Sequence, residues 1–241
     1  MQTLNNEITN LLNQENCNIV GFADLRCLSD EVRQNFDYGI LIGLSYTKEA
    51  MIENIKGLPR RYHNELVQIN KHLNELASLT AEFLVDKGYK AMPKIQSMVM
   101  QNKEWRTVLP HKTVATLAGT GWIGKCATLV TNEVGSALRI TSVLTNAPLK
   151  CGNPINKSLC NPNCMVCVNI CPGKAPLGGL WEVGTERDDF YDARACVHAA
   201  RARSSELLDI NETICGLCIS HCPFTKKGLG YIKNILCQIS Q

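Results

Sequence analysis

The sequence lacks any long apolar run: no stretch of its 241 residues approaches the roughly 18 apolar residues of a membrane-spanning helix, so no membrane association is expected. It also lacks an excess of one charge. Its 25 Lys and Arg against 22 Asp and Glu leave +3, spread too evenly for the basic face of a nucleic-acid-binding protein. The small clusters Arg201 with Arg203 and Lys226 with Lys227 read as solvated faces. The opening MQTLNNEITNLLNQ has neither the basic stretch nor the apolar core of a secretory signal, which leads to the expectation of a cytoplasmic protein whose thiols stay reduced. Low-complexity tracts are absent, and nothing repeats outside the cysteines. What remains is a globular composition, 45% hydrophobic in a chain long enough to bury a sizeable core.

The cysteines stand apart from this background, 13 in all. From Cys160 to Pro172 the chain reads C-N-P-N-C-M-V-C-V-N-I-C-P, close to the bacterial ferredoxin run C-x2-C-x2-C-x3-C-P. Such a run implies a second set, and Cys196 followed by Cys215, Cys218 and Cys222-Pro223 supplies it. Eight thiolates match two [4Fe–4S] clusters at about four each. The crossed pattern of two-cluster ferredoxins assigns Cys160, Cys164, Cys167 and Cys222 to one cluster, and Cys171, Cys196, Cys215 and Cys218 to the other. Cys160 and Cys164 are one residue further apart than usual. Either the turn-forming triplet Asn161-Pro162-Asn163 absorbs the extra residue, or Cys151 replaces Cys160, because a longer loop costs little more closure entropy. Tetrahedral zinc is the competing use of C-x2-C pairs, but zinc has no need of C-x2-C-x3-C-P twice. Cys17, Cys27 and Cys237 have no partner at ligand spacing and read as packing or surface residues. His198 and His221 lie near the ligands, yet cysteine already fills the count.

Before the cysteines the pattern is that of an α/β domain. Leu4, Ile8, Leu11 and Leu12 fall on one face of a helix over Thr3 to Asn13, and Ile19 to Ala23 reads as a strand. The apolar run Tyr38 to Tyr46 has the character of a central strand. After Pro59 comes a long helix carrying Tyr62, Leu66, Ile69, Leu73, Leu76, Thr80 and Phe83, stopped by Gly88. A strand over Tyr89 to Met92, an indistinct stretch from Ile95 to Trp105 and a helix over Pro110 to Ala118 follow. Ala127 to Thr131 and Ala137 to Leu144 read as a hairpin turning at Asn132 to Gly135. From Cys151 the composition turns to cysteine, proline, asparagine and glycine, so the expectation is an α+β protein with an N-terminal α/β domain over 1–149 and a ferredoxin-like twin-cluster domain over 150–241. Near the end of the first domain, Ala118 to Lys125 holds glycines at 119, 121 and 124, a density that lets backbone approach a ligand closely. No strand leads into Gly119, and Cys126 stands where a phosphate-binding loop needs Ser or Thr, so neither nucleotide motif is met. Cys126 either packs in the core or faces whatever this loop binds.

Taken together, Ala118-Gly119-x-Gly121-Trp122-Ile123-Gly124-Lys125, Gly135-Ser136, Thr145 to Leu149, the cysteine run, Asp192 to Cys196 and Cys215 to Pro223 resemble the epoxyqueuosine reductase family, whose core is shared with reductive dehalogenases. The resemblance implies an oxidoreductase in which two [4Fe–4S] clusters relay electrons to cobalamin. It makes Gly119, Gly121, Trp122, Ile123, Gly124, Lys125 and Cys126 the cobalamin-binding residues, and it implies an electron donor of the ferredoxin or flavodoxin type and a small-molecule substrate. The chain departs from the family in three places. Glu104 is the nearest acid to the position of the family's proton-donating aspartate, Cys126 replaces the usual asparagine, and the chain ends at Gln241 soon after the clusters. Glu104 and Cys126 are therefore the catalytic candidates. The ending and the low charge lead to the expectation of a short, clostridial-type member for which transfer RNA is not a partner. The competing readings are a ferredoxin-like electron carrier, for which the N-terminal domain is too large, and a cobalamin-handling protein with no organic substrate of its own.

Overall fold

Helical and strand periodicities in the first half of the chain become a sheet covered by helices. The computed structural model describes residues 2–17, 19–95 and 102–231. It begins with α1 (Gln2–Gln14), which buries Leu4, Ile8 and Leu12 along one face. Then come β1 (Ile19–Asp24), a short α2 (Asp30–Arg33), β2 (Tyr38–Ser45), α3 (Lys48–Ile55), α4 (Arg60–Asp86) and β3 (Ala91–Pro93). Next are α5 (His111–Leu117), β4 (Trp122–Ile123), β5 (Leu129–Val130) and β6 (Leu138–Thr145). The remainder carries α6 (Val166–Ile170), α7 (Arg187–Phe190), α8 (Ala193–Leu208), α9 (Leu217–Ser220) and α10 (Pro223–Gly228). None of these helices is long and apolar enough to cross a membrane.

The larger sheet has the order β1-β2-β6-β3. Antiparallel pairing sets Ile19 opposite Gly43 and Asp24 opposite Tyr38, and Ala91 opposite Thr145. β2 is central, with Gly39 to Leu44 all buried. β3 is an edge strand, which is why Pro93 is tolerated in it despite lacking an N–H. The hairpin expected around Asn132 to Gly135 does not form. Leu129 and Val130 pair back onto Ile123 and Trp122 as a separate ribbon, Thr131 and Gly135 make only an isolated bridge, and β6 joins the larger sheet. α3, between β2 and α4, is an element beyond those expected from the sequence. Its N-cap Thr47 accepts a hydrogen bond from Ala50 N.

The chain divides into two units, each drawn from three segments. The first comprises the chain up to Leu44, Gln68–Gly121 and Arg139–Asn156, and the second comprises Ser45–Val67, Trp122–Leu138 and the chain from Lys157. The boundary expected near Leu149 falls inside the last segment of unit one. In unit one, Leu4, Ile8 and Leu12 pack with Ile40, Ile42, Val143 and the α4 residues Leu73, Leu76, Ala77 and Leu84. Each such large side chain contributes roughly 2 kcal/mol through burial. Unit two has a smaller apolar cluster of Ala127, Trp181 and Phe190, flanked by Ile123 and Tyr191, and a stacked pair, Tyr46 on Tyr62, with ring centroids 4.8 Å apart.

Candidate metal centre

Unit two gathers its thiols on short helical turns, because a spacing of two or three residues brings successive cysteines to the same side of a tight turn. Cys167 lies on α6, and Cys171 ends that helix with extended backbone, as expected before Pro172. The second group folds likewise. Cys218 lies on α9, Cys222 is the N-cap of α10, and Pro223 opens that helix where its missing N–H costs nothing. α6 and α9 pack against each other. Cys196 stands in the first turn of α8, whose N-cap Asp192 accepts from Ala195 N at 2.8 Å. Gly135 and Ser136 support α10. A Cβ on Gly135, whose φ is +61°, would lie 2.1 Å from Thr225 N, and Ser136 N donates to Thr225 Oγ1 at 3.0 Å.

The thiols that feel one another's charge include two foursomes, with Cys126 bearing on members of both. Cys167 neighbours Cys164 and Cys222, and Cys222 neighbours Cys160. Cys196 neighbours Cys171 and Cys215, and Cys218 neighbours Cys215 and Cys196. Burial raises the thiols of Cys196 and Cys215 and pushes Cys222 up to about 11. Desolvation of this kind disfavours a bare thiolate, and a bound cationic metal is what offsets it. Among the described residues no group of three or more His, Cys, Asp or Glu could hold a single metal ion. The thiolates of a cubane bind separate irons, so they stand wider apart than the ligands of one ion, and the two foursomes fit that donor set.

Polar groups are already directed at several of these sulfurs. Ala175 N donates to Cys171 Sγ at 3.4 Å, and the backbone at Phe224 and Thr225 hydrogen bonds to Cys222. The Tyr191 hydroxyl hydrogen bonds to Cys196, and burial is the largest reason its phenol is held above the usual range. Sequence reasoning missed Tyr191, although it stands just before Asp192 to Cys196. Arg203 corrects an expectation, since it is not simply a solvated charge. Its Nη2 lies 3.4 Å from both Asn54 O and Asn54 Oδ1, its charge bears on Cys215, and Asn54 Nδ2 donates to Cys215 O at 3.0 Å.

The glycine-rich loop also meets these turns. Lys125, 3% exposed, donates from Nζ to Pro162 O at 2.7 Å and Cys164 O at 3.1 Å. It thereby clamps the turn that carries the extra residue between Cys160 and Cys164, a turn also closed by Cys164 N to Asn161 O at 3.0 Å and by Asn163 N to Asn161 Oδ1 at 2.8 Å. Trp122 is 1% exposed, edge-on to Phe224 at 4.9 Å, and its Nε1 has no hydrogen-bond partner among the described residues. Ile123 packs on the Ala127 cluster. Gly124 faces Val130 and Cys160, which stand 2.8 Å and 3.5 Å from where its Cβ would be. Gly119, with φ +72°, lies in unit one against Asn153 O, 2.3 Å from its own would-be Cβ, and Gly121 is buried. Cys126 is 5% exposed, and its Sγ hydrogen bonds to those of Cys167 and Cys218. The side chains of Trp122, Lys125 and Cys126 are thus buried within unit two.

The other candidates lie elsewhere. Glu104 sits on an exposed turn with Arg106 Nε 3.6 Å from its carboxylate. Cys151, in unit one, is pushed up to about 11 by burial and then by Asp24. Cys17 is buried with its Sγ toward Ile19 O and Gly43 O, Cys27 is exposed, and Cys237 lies outside the described residues. His198 is exposed, and His221 is held by Leu217 O at 3.0 Å. A further residue missed in the sequence is His111, which opens α5 after Pro110. Its Nδ1 lies 2.9 Å from Ser142 Oγ, and burial, then Lys94 and Arg139, depress it to about 4.

The fold and site define a protein of mixed α and β structure with two ferredoxin-type cysteine groups in one unit. No family model matches the chain, yet by sequence and fold it is a relative of the epoxyqueuosine reductases and reductive dehalogenases. It is 32% identical over 176 residues to epoxyqueuosine reductase of Gloeobacter violaceus, covering 69% of this chain and 47% of that one. It is 28% identical over 206 residues to epoxyqueuosine reductase of a Synechococcus strain, covering 79% and 56%. With tetrachloroethene reductive dehalogenase of Sulfurospirillum multivorans it shares 29% over 156 residues, covering 60% and 27%. The chain thus spans about half the length of the epoxyqueuosine reductases it matches.

Among solved structures, the catabolic reductive dehalogenase NpRdhA aligns with a TM-score of 0.63 at 19% identity over 89% of this chain and 31% of that one. An epoxyqueuosine reductase solved with an epoxyqueuosine-modified tRNA-Tyr stem loop aligns at 0.59 and 18% over 93% and 66%. Together with the epoxyqueuosine reductases matched by sequence, the latter overturns the expectation that transfer RNA is not a partner. That expectation rested on the net charge of +3 and on the end at Gln241, and a net charge says nothing of how the cations are distributed over a surface.

Proposed function

We propose that the chain is an iron–sulfur reductase of the epoxyqueuosine reductase type, acting on a modified nucleoside of transfer RNA. One cluster is held by Cys160, Cys164, Cys167 and Cys222, the other by Cys171, Cys196, Cys215 and Cys218. The single observation that carries this reading is the division of the half-buried thiols into two foursomes, each joining both C-x-x-C-x-x-x-C-P groups. When bound, the clusters store and pass single electrons. The chain supplies the rest: Lys125 fixes the turn between Cys160 and Cys164, Ala175 N and the Tyr191 hydroxyl hydrogen bond to ligand sulfurs, and Arg203 sets a cation beside Cys215. Hydrogen bonds and positive charge at the sulfurs raise a cluster's reduction potential.

The transfer-RNA substrate is supported by the names of the curated relatives and by the solved complex with a modified stem loop. A corrinoid belongs to the reading on a similar footing, because a reductive dehalogenase whose structure bears on B12-dependent dehalogenation has a TM-score of 0.61 at 19% identity.

The test is anaerobic reconstitution followed by iron analysis, a visible spectrum with and without added cobalamin, and nucleoside mass spectrometry after incubation with epoxyqueuosine-bearing transfer RNA and a strong reductant. About eight irons per chain, a spectral change with cobalamin and reduction of the nucleoside are expected. A single zinc without cluster absorbance would sink the cluster assignment. Full loading with an unchanged nucleoside and turnover of a halogenated phenol would replace transfer RNA by an organohalide.

A further inference from the structure

The indole of Trp122 is buried in unit two, yet its Nε1 finds no hydrogen-bond partner among the described residues. A buried N–H without an acceptor is costly, and a buried tryptophan ordinarily has one. A lone water would need further polar partners of its own, whereas the neighbours of this ring are apolar: Phe224 stands edge-on with ring centroids 4.9 Å apart, and Val130 lies opposite in the β4–β5 ribbon. The two faces of that ribbon differ. Side chains alternate along a strand, so Trp122 and Gly124 share one face, while Ile123 takes the other and packs on Ala127, Trp181 and Phe190. On the Trp122 face, Cys160 Sγ stands 3.5 Å from where a Cβ on Gly124 would be, and Val130 Cγ2 2.8 Å from it. Phe224 follows Cys222 by two residues at the start of α10. The indole thus lies on the side of Cys160 and next to the turn of Cys222, two ligands of the same cluster in the assignment above.

We propose that the Trp122 indole N–H donates a hydrogen bond to a sulfur of the cluster held by Cys160, Cys164, Cys167 and Cys222, and raises the reduction potential of that cluster and not of the other. The inference rests on the two-cluster reading above. A cubane brings the acceptor that the N–H lacks, because an iron-bound thiolate and a cluster sulfide carry no proton and can only accept. The indole N–H can only donate, so the direction of the bond is fixed and the proton stays on the nitrogen. Such a bond draws electron density from the iron and favours the reduced cluster. One N–H serves one cluster, so only one of the two potentials depends on Trp122, which acts as a positioning residue and not as a ligand.

The experiment loads protein carrying tryptophan labelled with nitrogen-15 in the indole, reduces the clusters, and reads nitrogen couplings by pulsed electron paramagnetic resonance together with iron content and midpoint potentials. Wild type should show a nitrogen-15 coupling to one cluster. Trp122→Phe should lose that coupling, keep its iron and lower one of the two potentials, while Trp105→Phe and Trp181→Phe keep the coupling. The chain has three tryptophans, so retention in those two variants assigns the signal to Trp122 even where Trp122→Phe takes up no cluster. Fully loaded wild type without a nitrogen-15 coupling would overturn the proposal, as would loss of the coupling in Trp105→Phe or Trp181→Phe. Loaded Trp122→Phe with both potentials unmoved, or both shifted equally, would overturn it as well and leave Trp122 a packing residue. A wild-type protein that takes up no cluster would instead overturn the two-cluster reading, and the inference with it.

Discussion

At the scale of single residues, burial decides what a polar side chain can do. Lys125 reads in the sequence as a cation for an outside ligand, but it is buried with two backbone carbonyls as partners. Leaving those carbonyls without a donor costs on the order of 3 kcal/mol. Lys125→Met should therefore speed iron loss to a chelator, measured as decay of cluster absorbance, while the folding of unit one is unchanged. His111 gives a pH dependence whose sign follows from its depressed value of about 4 against an ordinary 6.5. The folded state favours the neutral imidazole beside Ser142, Lys94 and Arg139. The stability this contributes is present in full above pH 6.5 and is lost as pH falls through about 4. In full it is on the order of 3 kcal/mol. Hydrogen exchange of α5 should accelerate across that window in the wild type, and His111→Gln should flatten the dependence. An unaltered slope in the variant would assign the pH dependence to other groups.

At the scale of elements, small helices hold the chemistry and caps hold the helices. α8 carries Cys196 one turn from its N-cap, so Asp192→Ala should cost about 1 kcal/mol and loosen the cluster that Cys196 serves more than the other. Separate iron signals in Mössbauer spectra would check this. The turn at Gly135 is less forgiving. Its positive φ and the proximity of Thr225 N leave no room for a methyl group, so Gly135→Ala should displace α10 and lower iron loading, read by iron analysis of freshly purified protein. Retention of full iron in this variant would show that α10 does not position Cys222.

At the scale of the whole molecule, the two units are stabilised by different means. Unit one has an extended apolar core of leucine, isoleucine and valine, whereas unit two has a small one and many thiols. Removing iron with a chelator under reducing conditions should therefore abolish hydrogen-exchange protection over residues 157–231 and leave α1 and β2 protected. Uniform loss of protection would mean that the metal stabilises the entire chain. The sequence by itself determined the strand at Tyr38, the long helix after Pro59 and the grouping of the cysteines, because each follows from spacings within one or two turns of chain. Only the tertiary structure decided that Leu129 and Val130 pair with Trp122 and Ile123 and not across Gly135. It likewise placed the Cys126 thiol against both foursomes, turned Lys125 onto the Cys164 turn, and drew each unit from three separate segments. The reason is physical: those outcomes depend on which distant groups a buried side chain or an unpaired backbone meets, and local spacing carries no record of them.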